Sequence, residues 1–397
     1  MFKPDDCRIR SHTSGILELD FAIDMELFSN LPCGVPHDPK HIDTRDTSRK
    51  WVSTCTQSHE RCGKKGAKEM PTRVIDVGPG DGSEAPRLAM TDGEYGEYVT
   101  LSHRWDSHIK QFGTTRKNIE ERLGVIPLEL LPHTFRDAIA VTRSLGYRYL
   151  WIDSICIIQD DGTDWERECQ RMCAVFENTV VTISALRACE GDGGLLNGRD
   201  EAQPLIIRLA DGVTVGVRPN KHDFIHALNT SEMNTRGWIL QEKILSPAIL
   251  HFGRSQLYWE CCSSTASESY PNMLTHSEGK LKYLLVTAQR HALNPEAQDP
   301  YLQWYKIMSI FSQLNLTFEF DRLPAIMGLA ERFRSIFQSR LLAGLWLEDL
   351  HRGLLWMKAG LQGLSRGHFI AIMELGSSKW AYSVRMERWL RQGWKRT

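Results

Sequence analysis

The chain of 397 residues is long enough for two or three domains and a sizeable apolar core. Its 48 basic and 49 acidic residues nearly cancel, which excludes the strong global field used to capture nucleic acid or anionic lipid. No run of about 18 apolar residues is present, the amino terminus "MFKPDDCRIR" lacks an apolar signal region, and the 10 cysteines form no C-x-x-C pair, so a cytoplasmic protein with reduced thiols and no membrane span is expected.

Residues 1–50 are rich in Pro, Asp, Ser and Thr and lack sustained periodicity, which predicts a loop-rich start. "WVSTCTQSHERC" then places Cys55, His59 and Cys62 at i, i+4 and i+7. These are zinc-ligand types, but a fourth ligand at ordinary spacing is missing: Cys33 is the nearest upstream and Cys156 the nearest downstream. The spacing reads as a helix packed on a core, and no metal is expected.

Short β-branched or aromatic runs follow at "TRVIDV" (72–77), "YVTLS" (98–102), "YLWIDS" (149–154) and "VVTISA" (180–185). Between them lie helical patterns. Phe135, Ala138, Ile139, Thr142 and Leu145 share one face, with Gly146 as the stop signal. Thr163 to Glu166 fit a capping box ahead of the stripe Trp165, Cys169, Met172, Cys173 and Phe176. Strands alternating with helices predict an α/β fold with a largely parallel sheet flanked by helices. Asp211-Gly212 between two apolar runs signals a hairpin, "AILHFG" and "QLYWEC" suggest another strand pair, and helical patterns such as "AIMGLAERFRSIF" dominate from about residue 278. The expected organisation is residues 1–70 as an irregular or helical segment, 71–262 as the α/β domain with a β-rich extension, and 263–397 as a mostly helical region. The basic end "RMERWLRQGWKRT" reads as a solvated helix face rather than an RNA-binding arm.

Four stretches bear on chemistry. "VIDVGPGDG" has Gly78, Gly80 and Gly82 after a strand, as in S-adenosylmethionine-dependent methyltransferases. The 20 residues before "YVTLS" include Pro86, Gly93 and Gly96 and leave no room for the helix that such a cofactor loop needs, so a surface connection is favoured. "LSHRWD" ends a strand with Ser102, His103, Arg104, Trp105 and Asp106, but adjacent residues on a strand end cannot all converge as a Ser/His/Asp triad. Cys156 shows no activating base and reads as an inert buried thiol. Asp153 sits between Ile152 and Ser154 in an otherwise apolar stretch, where a carboxylate is costly unless partnered. On the helix of "NTRGWILQEKILS", Trp238, Gln241, Glu242 and Leu245 share a stripe, and Arg236 begins it. The expectation is a buried network of Asp153 with Arg236, Gln241 and Gln159, in which Asp153→Ala costs several kcal/mol.

Together, "YVTLSHRWD", "LGYRYLWIDSICIIQDDGTDWERECQRMCAVFENTVVTISA", "TRGWILQEKILS" and "LYWEC" resemble the fungal heterokaryon-incompatibility (HET) domain family, in segments over roughly residues 51–357. The motif positions implied are Ser102, Trp105, Trp151, Asp153, Cys156, Gln159, Trp165, Arg236, Gly237, Trp238, Gln241 and Glu242. His103 and Asp106 depart from the Tyr and Gly common there, and the sequence after Trp356 departs from the usual Trp-rich continuation. The resemblance implies a cytoplasmic signalling or effector domain in fungal non-self recognition and programmed cell death, working through protein partners or self-association and without a cofactor. It also implies a distant similarity to Toll/interleukin-1 receptor (TIR) domains. The rival reading is a NAD-cleaving enzyme with Glu168 or Glu242 as the catalytic carboxylate; fold alone does not choose between them.

Overall fold

The computed structural model describes residues 38–354 apart from 63–65, 106–110, 188–192, 200–204, 209–213, 218–223, 276–280, 294–298, 318 and 343. Asp106, Cys33, the Asp211-Gly212 turn and the basic carboxyl-terminal stretch therefore lie outside the described residues. On either side of that turn, Leu205–Arg208 pairs antiparallel with Thr214–Val217.

The first long helix, α1 (Ile42–Ser58), starts inside the region expected to be irregular. Strands β1 (Arg73–Asp76) and β2 (Arg87–Met90) follow, then β3 (Tyr98–Ser102), α2 (His133–Leu145) and β4 (Tyr149–Trp151). Next come α3 (Gly162–Asn178), β5 (Val181–Ser184), α4 (Gly237–Leu245) and four strands: β6 (Ala248–Phe252), β7 (Leu257–Cys261), β8 (Ser264–Ser267) and β9 (Tyr270–Thr275). Three further helices, α5 (Leu281–Leu293), α6 (Pro300–Phe311) and α7 (Pro324–Phe337), complete the main elements.

Nine strands make one sheet in the order β9-β8-β7-β6-β5-β3-β4-β1-β2. The expectation of a largely parallel sheet is corrected here: the sheet is mixed. Only its centre is parallel, where β6 pairs β5, β5 pairs β3 and β3 pairs β4. Both flanks are antiparallel. Connection length explains the difference. The helical crossovers through α2 and α3 can return the chain to the same end of the sheet, whereas the short links between β6, β7, β8 and β9 can only reverse it.

The central strands are fully buried, as two-sided cover demands: Val99, Leu101, Leu150, Trp151, Val181 and Ile183 all lie in the core. Helix α1 packs against α2, while α3, α4, α5 and α7 pack on one another. Right-handed crossovers that run in opposite directions across the sheet, from β3 to β4 through α2 and from β4 back past β3 to β5 through α3, put the two helices on opposite faces. Helix α2 stops at Gly146, whose φ of 88° is the left-handed turn that glycine adopts without penalty. Helix α3 starts two residues earlier than the capping box suggested. Asp161, not Thr163, is its N-cap, accepting from the amides of Thr163 and Asp164.

The glycine-rich stretch after β1 leads straight into β2, antiparallel to it. No helix lies between β1 and β2, so the methyltransferase geometry is not built. Asp76 at its base is held instead by Arg148, at 2.9 and 3.0 Å, and by the amide of Gly78 at 3.0 Å.

Candidate functional site at the carboxyl ends of the central strands

Strand β3 ends at Ser102 and the chain continues through His103, Arg104 and Trp105. Strand β4 beside it ends at Trp151, earlier than the sequence suggested. Asp153 is then the first residue of a single helical turn, Asp153–Cys156, rather than the middle of a strand. This turn answers the cost of a carboxylate in apolar sequence: Asp153 Oδ1 accepts the amide of Ser154 at 2.7 Å, and its side chain keeps 25% of its surface exposed.

The partners of that carboxylate are not those expected. The indole N–H of Trp105 donates to Asp153 Oδ2 at 2.6 Å, and His103 Nε2 lies 3.7 Å from Oδ1. His103 is itself buried, stacked beside Trp105 and edge-on to Phe135 at 5.1 Å between ring centroids. Gln159 donates to the Asp153 carbonyl at 3.2 Å and to that of Ile157 at 2.9 Å, bracing the turn from below rather than meeting the carboxylate. Gln241 faces away altogether, toward α7, where a Cβ added at Gly328 would stand 2.5 Å from its Oε1.

The distant segment does reach the same strand end, through other atoms. Arg236 donates to the backbone carbonyl of His103 at 2.6 Å. Ser102 donates its hydroxyl to Glu242 Oε2. Arg104 pairs with Glu232 in the turn just ahead. Gly237 lets α4 come close to the 311–316 segment: a Cβ there would meet Leu316 at 2.6 Å.

Glu242 is the electrostatically unusual member. Burial pushes its carboxyl up to about 7, against the pull of the Ser102 hydroxyl and the Arg236 charge. The group can therefore hold or release a proton near neutral pH. Glu168, the other carboxylate considered, lies elsewhere. It is buried on α3 with Asp164, and Arg73 Nη2 reaches Asp164 Oδ2 and comes within 3.9 Å of Glu168 Oε1. Arg167 adds a contact to each acid.

Residues 98–242 match the family model described as heterokaryon incompatibility protein (HET). The chain carries a HET domain. Comparisons with curated proteins and with solved structures gave no match.

Within the HET domain the remaining motif residues are packing groups. Trp151 is buried edge-on to Phe176, 5.6 Å between centroids. Cys156 is buried, and burial pushes its thiol up to about 12, as befits an inert side chain. Trp165 is partly buried against the core, and Trp238 points its indole N–H at Asp321 from 3.5 Å.

Sequence reasoning missed a second polar layer just behind the site. Thr100, Thr182 and Ser246 form a hydroxyl chain at 2.7 and 2.6 Å that ends on the Glu242 carbonyl. Beside it lie His251, Glu260, Lys243 and Lys282, all buried. Burial lowers Lys243 to about 8 and His251 to about 4. Burial would raise Glu260, but His251 and the two lysines overcome it and hold it at about 2. The available signal was an ionisable residue inside each apolar strand run, His251 in "AILHFG" and Glu260 in "QLYWEC". Among the described residues, the group with the chemistry to hold a metal is elsewhere, where α1 ends against the β7–β8 turn.

Proposed function

We propose that this HET-domain chain is a cytoplasmic signalling or effector protein of fungal non-self recognition, triggering programmed cell death through self-association or a protein partner. The observation that carries this reading is the direction in which the motif side chains point. Ser102 grips Glu242, Arg236 grips the carbonyl of His103, and Trp105 grips Asp153. The motifs join remote segments into one rigid body, which is what a recognition module needs. The test is induced expression in a filamentous fungus, scoring growth arrest alongside protein level. Arrest by the wild-type chain, relieved by Arg236→Ala, is expected. Normal growth with full-length protein present would defeat the proposal.

One observation favours a second reading. Glu242, poised near neutral and beside a hydroxyl at the strand ends, is suited to handle a proton or stabilise developing positive charge. On a TIR-like fold this would be the carboxylate of a NAD-cleaving enzyme. Glu168 is a poorer candidate because Arg73 and Arg167 occupy it. Incubation of the purified chain with NAD distinguishes the two readings. Nicotinamide release that disappears in Glu242→Gln would put the enzyme first.

A further inference from the structure

Helix α1 does not carry Cys55, His59 and Cys62 along one continuous face, as their spacing suggested. It stops at Ser58, His59 takes an extended conformation (φ −93°, ψ 101°), and the 3-10 turn Glu60–Cys62 swings the last thiol back. The three side chains thus converge, and they do so on Cys261, the final residue of β7, 202 positions from His59. The three sulfurs and the imidazole nitrogen all lie within 4.8 Å of one another.

We propose that Cys55, His59, Cys62 and Cys261 bind one zinc ion in a closed, structural Cys3His site. A tetrahedron with ordinary Zn–S and Zn–N bonds has an S···N edge of about 3.5 Å and S···S edges of about 3.8 Å. Cys261 Sγ and His59 Nδ1 stand 3.4 Å apart. Three sulfurs and one imidazole form a donor set that favours zinc over the harder magnesium or calcium. Four protein ligands leave no open position for substrate, so the ion would hold the fold rather than act on a reactant.

A second, independent feature points the same way. The amides of Ser263 and Ser264 both aim at Cys261 Sγ, at 3.4 and 3.2 Å, and the Ser264 hydroxyl is 3.3 Å from it. Several donors directed at one sulfur stabilise a thiolate, the form that a metal binds. The Ser263 hydroxyl also lies 3.6 Å from Cys62 Sγ. Cys55 and Cys261 are buried while His59 and Cys62 are half-exposed, which provides a route for the ion to enter.

The mechanical consequence follows from the chain path. The ion would fasten the end of α1 to the β7–β8 turn, reinforcing the packing of Trp51 on Trp259 and the Trp51 indole bond to the Pro271 carbonyl at 2.9 Å. Metal binding is then folding energy for α1.

The full-length chain, purified with a thiol reductant and without chelator, is assayed for bound metal by mass spectrometry. One zinc per chain is expected, falling at least severalfold in Cys261→Ser and in His59→Ala but retained in Cys262→Ser. If the ligand variants fail to fold, cobalt(II) exchanged into the wild-type protein gives the answer. Intense visible bands of tetrahedral cobalt with thiolate charge transfer support the site. Folded wild-type protein that takes up neither metal, or a disulfide joining two of these cysteines in the reduced preparation, would overturn it.

Discussion

Asp164 and Glu168 on α3 lie against the guanidinium of Arg73, whereas Glu242 on α4 is met by the hydroxyl of Ser102. All four charged groups are buried: Arg73 3%, Asp164 5%, Glu168 2% and Glu242 7% exposed. The first arrangement supplies a cation in contact and fastens β1 to α3 through an ion pair. The second supplies a neutral donor in contact, so desolvation prevails and the carboxyl titrates near 7. Depth alone does not decide whether an acid becomes a fastener or a proton carrier. The neighbour's charge does.

The sharpest way to break that contrast is to remove the cation. Arg73→Met leaves the two carboxylates with only the half-exposed Arg167 as a cation and is expected to cost about 3–5 kcal/mol in urea unfolding. Adding Asp164→Leu in the same chain should recover part of the loss, which would show that the penalty is unpaired charge rather than lost volume. A larger loss in the double variant would contradict this.

Glu242 should make stability depend on pH. Its carboxyl is raised from 4.5 to about 7 in the folded protein, so between those values the native state holds a proton that the unfolded chain releases. Stability is therefore greatest below about pH 4.5 for this group and falls as pH rises through 7, by roughly 3 kcal/mol in all. Glu242→Gln keeps the shape and a partner for Ser102 but cannot titrate. Unfolding midpoints measured from about pH 5 to 8 should lose this slope in the variant. An unchanged slope would assign the effect to another group.

The Asp153 site lies between these extremes. Trp105→Phe removes the indole donor from a carboxylate that water already reaches, so a cost of about 1–2 kcal/mol is expected rather than the several attached to a fully buried pair. The smallest effect should come from Arg334→Ala. It breaks an exposed pair with Glu331, whose side chains keep 60% and 50% of their surface, and should shift the unfolding free energy by less than about 0.5 kcal/mol.

The sequence showed the central strands and their helices because those elements are specified locally: the apolar runs at 98–102 and 180–185, the 135–145 stripe and the Gly146 stop all stand where read. Direction in the sheet was less legible. A strand run looks the same whether its neighbour is parallel or antiparallel, and only the lengths of the links at 253–256, 262–263 and 268–269 bore on the outcome. The site was partly legible. Arg236 and Gln241 were expected to meet Asp153; Arg236 instead takes the His103 carbonyl at the end of β3, and Glu242, which was not placed in that network, takes the Ser102 hydroxyl, atoms that periodicity cannot orient. Gln241, one position from Glu242, faces another helix, since adjacent helical residues diverge by about 100°. Cys261 escaped notice as a companion of Cys55 because their meeting depends on the whole sheet being assembled first.

Helix α4 is buried on nearly every side, with Ile239 through Leu245 all enclosed between the sheet and the later helices. The family match ends at Glu242, inside this helix. Trimming the gene to the matched region would sever a helical turn, strip β6 from its parallel neighbour β5, and leave Lys243, Ile244 and Leu245 behind. The evolutionary unit and the smallest autonomous folding unit therefore have different borders, and expression trials should follow the latter.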